Sequence, residues 1–125
     1  MTKKKILIVD DEQDIIEVLK LRLQSVGFDV IAAMDGEEAL KKVKEGHPDL
    51  ILLDVMMPPP NGFQVCRMLK DDPEYKQIPI ILLTAKTTES DKFWGTESGA
   101  DAYITKPYNA ADLIDKMRTL LGGKV

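Results

Sequence analysis

Short apolar runs recur along the chain and are separated by longer segments of mixed polarity. Five such runs, rich in Ile, Val and Leu, occupy residues 6–9, 30–33, 50–53, 80–83 and 102–104. None of them alternates regularly between polar and apolar residues, and strands of this kind are usually covered on both faces, as in a parallel sheet with helices on each side. The pattern therefore predicts five buried β-strands.

The segments between the predicted strands begin with helix-capping signals. Four of them open with a capping side chain that is followed, three positions later, by an acid or amide that can cap in return. These pairs are Asp14 with Glu17, Asp35 with Glu38, Asn61 with Gln64 and Thr88 with Asp91, and a weaker version joins Asn109 to Asp112. We therefore predict five helices.

Apolar spacing predicts which face of a helix is buried. The stripe of the first helix consists of Ile15, Leu19, Leu23 and Val26, and that of the last consists of Leu113, Ile114, Met117, Leu120 and Leu121. Gly27 provides a left-handed stop for the first helix. The fourth helix has only Phe93 and Trp94 as large apolar residues, with Gly95 in its interior, so we predict that it is the least firmly held.

Alternating strands and helices within 125 residues predict a doubly wound α/β fold. The length is close to that of one common domain, 44% of the residues are hydrophobic, and no repeat, low-complexity tract or linker divides the sequence. The whole chain, residues 1–125, is therefore predicted to be a single domain.

The charge of the chain bears on its partners. Its 21 acidic and 17 basic residues give a formal charge of -4, which argues against nucleic acid or an anionic membrane as the main partner and favours a basic or neutral protein. The single cysteine, Cys66, cannot form an internal disulfide, and the first apolar run is too short for a signal peptide. These features predict a cytoplasmic protein.

Chemically active side chains follow four of the predicted strands. Asp10 and Asp11 follow the first strand, Asp54 the third and Thr84 the fourth, and Lys106 comes just after the fifth. In this kind of fold, functional groups gather at the carboxyl ends of the strands. Two like charges about 4 Å apart repel by about 4 kcal/mol at an effective dielectric of about 20. The acids therefore need cations, which Lys106 and a hard divalent ion such as Mg²⁺ would supply.

The order and spacing of these motifs resemble the CheY-like receiver domains of two-component response regulators over the whole chain. The matching motifs are Asp10-Asp11, Asp54, Met57-Pro58, Asn61-Gly62, Thr84-Ala85 and Lys106-Pro107. The resemblance implies a flavodoxin-like sheet with strand order 2-1-3-4-5, an order for which CheY is itself a standard example.

The resemblance also implies a role for the acid that ends the third strand. Asp54 would be the nucleophile that accepts a phosphoryl group from a phosphohistidine on a sensor histidine kinase or a histidine phosphotransfer protein. Asp11, Asp54 and the backbone carbonyl of Met56 would bind Mg²⁺ directly, and Asp10 would act through water.

The remaining family positions imply a switch. Thr84 would hydrogen-bond the attached phosphoryl group, Tyr103 would change rotamer with it, and Lys106, followed by a predicted cis bond to Pro107, would neutralise charge. The face formed by the fourth helix, the fifth strand and the fifth helix would then change and dock a downstream protein target. No enzymatic turnover of an external substrate is implied.

Other interpretations stay open at this point. An acid after a strand is often only a helix cap, and a receiver-like module that is never phosphorylated would share the fold. An aspartyl phosphohydrolase would need an acid in place of Met56, and the acids at residues 10–12 would repel a flavin phosphate.

The prolines at residues 58–60 depart from the family pattern and predict a stiff, extended loop. His47 is predicted to lie in a surface turn. The kinase, the target, the oligomeric state and the length of the intact protein stay undetermined.

Overall fold

The computed structural model describes residues 3–85 and 98–122 of the chain. The strands are β1 (Lys5–Val9), β2 (Asp29–Ala33), β3 (Leu50–Asp54), β4 (Ile80–Thr84) and β5 (Ala102–Thr105). Four helices lie within the described residues, α1 (Gln13–Ser25), α2 (Gly36–Gly46), α3 (Gly62–Lys70) and α4 (Ala110–Leu120). The predicted helix that begins at Thr88 lies outside the described residues. None of the four described helices is long and apolar enough to span a lipid bilayer.

The strands form one parallel sheet in the order β2-β1-β3-β4-β5. The predicted α/β fold and strand order are therefore confirmed. Strands β3 and β4 are buried at every residue, whereas β2 and β5, at the two edges of the sheet, are partly exposed. The central strands read as continuous apolar runs because helices cover both of their faces.

The side chains of each strand alternate between two hydrophobic layers. On β1, Leu7 and Val9 join the layer beneath α2 and α3, and Ile6 and Ile8 join the layer beneath α1 and α4. Cys66 is fully buried in the first of these layers, and burial raises the pKa of its thiol to about 11. Cys66 is therefore a neutral packing residue at physiological pH.

Three of the predicted helix caps are present. The Asn61 side chain accepts a hydrogen bond from the backbone of Gln64, and the Gln64 side chain accepts one from the backbone of Asn61, at 3.0 Å and 2.7 Å. Asp35 accepts from the Glu38 backbone at 2.7 Å, and Asn109 caps α4 in the same way. The starts of α2, α3 and α4 are thus determined by local sequence.

The predicted cap of the first helix is wrong. Helix α1 begins at Gln13, and its N-cap residue Glu12 makes no side-chain capping bond, so Asp14 and Glu17 form no capping box. The reason lies in the turn just before the helix. Asp10, held at the end of β1, accepts a hydrogen bond from the Glu12 backbone at 2.9 Å and sets the turn into the helix.

The buried stripe of α1 also differs from the prediction. The residues of α1 that are buried are Ile16, Leu19 and Leu23. Ile15 is only partly buried, and Val26 is 39% exposed because the helix ends at Ser25. Gly27 follows with φ 99°, the predicted left-handed stop. His47 is exposed and ends α2 with φ 47°, which confirms that it lies in a surface turn.

Candidate functional site

Four residues that the sequence singled out lie where the parallel strands end. This side of the sheet, at the carboxyl ends of the strands, is called its carboxyl edge. Asp10 directly follows β1, Asp54 and Thr84 are the last residues of β3 and β4, and Lys106 follows β5. Asp10, Asp54 and Thr84 are 2%, 4% and 0% exposed. Since β1, β3 and β4 are neighbours in the sheet, the two carboxylates and the threonine hydroxyl are buried at one edge.

The ammonium group of Lys106 connects two of these acids. Lys106 Nζ donates to Asp54 Oδ1 at 3.1 Å and to Asp10 Oδ2 at 3.4 Å. The Lys106 backbone N–H donates to the carbonyl of Thr84 at 2.6 Å, and the bond from Lys106 to Pro107 is cis, as predicted. The buried carboxylates of Asp10 and Asp54 therefore form one ionic cluster with the partly exposed Lys106, whose backbone is bonded to β4.

The pKa values in this cluster reflect both burial and charge. Burial raises the pKa of Asp54, repulsion from Asp10 raises it further, and Lys106 and a backbone hydrogen bond from Met56 oppose the rise without cancelling it. Burial by itself would lower the pKa of Lys106, but the attraction of Asp54 and then of Asp10 makes the net pKa higher than usual. The lysine is therefore charged at neutral pH, and ionisation of Asp54 costs more free energy than that of a solvent-exposed aspartate.

Asp10 also belongs to a group of three carboxylates that could bind a cation. One oxygen each from Asp10, Asp11 and Glu12 lies within 4.8 Å of the other two. Asp10 is buried, whereas Asp11 and Glu12 are exposed. An all-oxygen donor set that is open to water fits a hard ion such as Mg²⁺. Asp54 does not belong to this group of three and is joined to Asp10 through Lys106.

Glu12 and Tyr108 were missed by the sequence reasoning. Glu12 stands next to Asp11, and this adjacency was the available signal. Tyr108, two residues after Lys106, is partly buried and lines a groove beside Ile15 and Val18 of α1. Burial raises the pKa of Tyr108, and the charges of Lys106, Asp10 and Asp54 also act on it. Tyr108 therefore borders the ionic cluster.

Thr84 and Tyr103 lie on the adjacent strands β4 and β5 and on the same face of the sheet, since Leu82 pairs with Tyr103 and Thr84 is two residues beyond Leu82. Thr84 is fully buried and lies opposite Thr105 in the sheet. Tyr103 pairs with Leu82 and packs, partly buried, against the hydrophobic layer beneath α2 and α3. The change of the Tyr103 rotamer on phosphorylation stays a prediction.

The loop after β3 departs from the predicted extended path. The peptide between Pro59 and Pro60 is cis, and residues 57–60 bend. Met57, the first residue of this bend, is buried, whereas Met56, two residues after Asp54, is 50% exposed. The three prolines therefore form a compact corner between β3 and α3.

Comparison with known proteins identifies relatives with this arrangement. A family model described as "Response regulator receiver domain" matches residues 6–118. The chain is 48% identical over 118 residues to the alkaline phosphatase synthesis transcriptional regulatory protein PhoP of Bacillus subtilis (strain 168), a match that covers 94% of this chain and 48% of that protein. The chain thus spans about half the length of the curated relatives that it matches.

Solved structures agree with the fold. The chemotaxis protein CheY4 of Vibrio cholerae superposes with a TM-score of 0.88 at 34% identity, covering 95% of this chain and 99% of that one. The signal receiver domain of a signal transduction histidine kinase from Syntrophus aciditrophicus gives 0.91 at 38% identity, covering 97% and 92%. The sheet order and the buried acids at the carboxyl ends of its strands agree with the family match over residues 6–118. The chain therefore belongs to the family of response regulator receiver domains.

Proposed function

We propose that this chain accepts a phosphoryl group on Asp54 from a phosphohistidine of a sensor histidine kinase or a histidine phosphotransfer protein. One observation carries the proposal: Asp54 is 4% exposed, yet its carboxylate is paired with Lys106, which it shares with Asp10. Buried acids that are held beside a cation at the carboxyl edge of a parallel sheet suit the handling of a transferred anion.

This geometry supports direct transfer of the phosphoryl group to the carboxylate. One carboxylate oxygen of Asp54 forms a bond to phosphorus while the bond from phosphorus to the imidazole nitrogen of the donor breaks, and that nitrogen keeps the electron pair. Lys106 offsets charge on the moving group. The Thr84 hydroxyl would donate to a phosphoryl oxygen once the group is attached. The buried β3 strand holds the nucleophile in place.

The acids at this edge fit a divalent cation. Asp10 and Asp11, with Asp54 and the carbonyl of Met56, would hold Mg²⁺, and Glu12 is a further candidate ligand because its carboxylate lies within 4.8 Å of those of Asp10 and Asp11. When bound, Mg²⁺ would neutralise charge on the transferring phosphoryl group. The family membership and the all-oxygen donor set support this assignment.

The output would be a change of shape at the surface around β5. An attached phosphoryl group brings about -1.5 to -2 charges and would draw Thr84 and Lys106 toward it. Both residues lie at the ends of β4 and β5, and Tyr103 lies on β5. We therefore propose that the β5 and α4 surface, with the helix predicted to begin at Thr88, docks a downstream protein target.

Mass spectrometry tests the assignment of Asp54. Incubation of the protein with Mg²⁺ and acetyl phosphate is expected to add one phosphoryl group to the intact mass. D54N is expected to gain none, and D115N, which changes an exposed acid of α4, is expected to gain one. Phosphorylation of D54N at the wild-type level would contradict the proposal, and an unmodified wild type would favour a receiver-like interaction module.

The role of the chain in a longer protein is a separate proposal. The PhoP relative is by name a transcriptional regulatory protein and is about twice the length of this chain. The prediction that nucleic acid is not a partner is therefore not supported for a longer protein that contains this domain. We propose that residues 1–125 act as one cytoplasmic receiver domain that turns over no external substrate.

A further inference from the structure

Gly62 packs against the peptide that leads away from Asp54. It is the first residue of α3. A Cβ atom added to it would meet the carbonyl oxygen of Asp54 and would lie 2.8 Å from Val55 Cα and 3.0 Å from the carbonyl carbon of Asp54. All three are backbone atoms, which cannot rotate away as a flexible side chain can. Helix α3 therefore approaches β3 as closely as it does only because residue 62 has no side chain.

Both sides of this contact are held in place. On the helix side, Asn61 and Gln64 cap each other reciprocally, and the Gly62 N–H donates to the Val55 carbonyl at 3.3 Å. On the sheet side, the Val55 N–H donates to the Leu83 carbonyl at 3.0 Å. A side chain at residue 62 would consequently force the peptide between Asp54 and Val55, or the helix start, to move.

We propose that Gly62 is a positioning residue for the phosphoryl site. Its missing side chain lets α3 set the place of the peptide after Asp54, and hence the direction of the Asp54 carboxylate and of the Met56 carbonyl. The inference rests on the proposed function, because it concerns the geometry of the same site. A displacement of about 1 Å in a reacting group can cost on the order of 100-fold in rate.

Conformational preference does not explain this glycine. Gly62 is not among the described glycines with positive φ, which are Gly27, Gly99 and Gly122. Alanine is a better helix former than glycine by about 1 kcal/mol in a helix interior. Alanine at residue 62 would therefore be tolerated by the local backbone, and the cost of G62A would come from the contact with residues 54 and 55.

Gly36 offers a matched control. It is the first residue of α2, as Gly62 is of α3. A Cβ atom on Gly36 would meet the carbonyl oxygen of Pro60 and would lie 2.7 Å from Pro60 Cγ and 2.8 Å from Val65 Cγ2. It is as crowded as Gly62, but its nearest neighbours include no atom of Asp54 or Val55. G36A therefore crowds the loop that precedes α3, through Pro60, without contacting Asp54 or Val55.

The experiment compares the wild-type 125-residue chain with G62A and G36A. Urea denaturation without metal measures folding, calorimetry measures Mg²⁺ binding, and intact mass measures the rate of phosphorylation by acetyl phosphate. G62A is expected to weaken Mg²⁺ binding by about tenfold or more and to slow phosphorylation by on the order of 100-fold. G36A is expected to lower the urea midpoint while changing Mg²⁺ affinity by less than about twofold. Wild-type behaviour of G62A at the site, or equal losses in both variants, would overturn the inference.

A measurement on the wild type covers the case in which G62A does not fold. Saturating Mg²⁺ is expected to slow amide hydrogen exchange at Gly62 and to leave Gly36 unchanged, since only Gly62 contacts the peptide after Asp54. An unchanged Gly62 exchange rate would overturn the inference. If the wild type binds Mg²⁺ with this exchange response but gains no phosphoryl group, the proposed function fails and the positioning role stands. If the wild type binds no Mg²⁺, both fail.

Discussion

Lys106 Nζ lies 3.1 Å from Asp54 Oδ1, although 52 residues separate the two in sequence. The same ammonium is 3.4 Å from Asp10 Oδ2, 96 residues away. Both acids are almost fully buried, whereas 22% of the lysine side chain is exposed. One partly exposed cation therefore compensates two buried anions, which leaves a net negative site that a divalent cation would complete.

Replacing Lys106 by Met is expected to lower the free energy of unfolding by about 2 kcal/mol at neutral pH, because two buried carboxylates lose their cation. The pKa of Lys106 is raised in the folded state, so its contribution is fully present below the unfolded pKa and is lost only as pH rises through the folded one. In mildly acidic solution the loss of unfolding free energy in K106M should be smaller, because Asp54 takes up a proton and no longer needs a cation. Urea denaturation at both pH values measures this, with K106R as the charge-preserving control. An equal deficit at the two pH values would contradict the ionic account.

Asp54→Asn is expected to raise the free energy of unfolding by about 1 kcal/mol at neutral pH without metal. The pKa of Asp54 is raised by burial and by Asp10, so between its unfolded and folded pKa values the folded state binds more protons than the unfolded state. Stability therefore falls as pH rises through this window. Below this pH window, D54N should no longer have a higher free energy of unfolding than the wild type. Saturating Mg²⁺ should stabilise the wild type more than D54N, and thermal scans with and without Mg²⁺ decide whether it does.

Met56→Asn is expected to speed loss of the phosphoryl group by roughly tenfold, because an amide beside Asp54 can orient a water for attack whereas a thioether cannot. The Met56 side chain is 50% exposed, so the substitution should cost little stability. Met68 on α3 is also 50% exposed, and M68N serves as the control that should leave the rate unchanged. The decay of phosphorylated protein is followed by intact mass after removal of the donor. A rate for M56N that is no faster than wild type would refute the shielding role.

Asn61→Ala is expected to lower the free energy of unfolding by about 1 kcal/mol, because it removes the reciprocal cap of α3. Asp14→Ala provides the contrast. Asp14 lies in the first turn of α1 but caps nothing, so its loss should cost only a few tenths of a kcal/mol through the helix dipole. Chemical denaturation of the two variants compares them directly, and equal losses would show that the caps are misassigned.

Local sequence determined the elements whose signals are local. The apolar runs became the five strands because buried parallel strands need apolar residues on both faces. The starts of α2, α3 and α4 followed from Asp35, Asn61 and Asn109, because a capping side chain reaches only the next few backbone amides. The placement of Asp10, Asp54 and Lys106 at one edge followed from the fold class together with the family motifs.

Only the tertiary structure decided how the end of each strand packs against the segment that follows it and against the other strand ends. Helix α1 starts at Gln13 because Asp10, fixed at the end of β1, binds the Glu12 backbone, and no pattern within the helix encodes that contact. Glu12 joins Asp10 and Asp11 through the shape of the same turn. The motif Asn61-Gly62 gives no reason for a residue without a side chain at position 62, and that reason appears only when the peptide of Asp54 is seen against it. Hydrophobic periodicity indicates which face of a helix or strand is buried, and capping residues indicate where a helix begins. Contacts between residues tens of positions apart, such as that of Lys106 with Asp54, form only when the sheet brings the strand ends together.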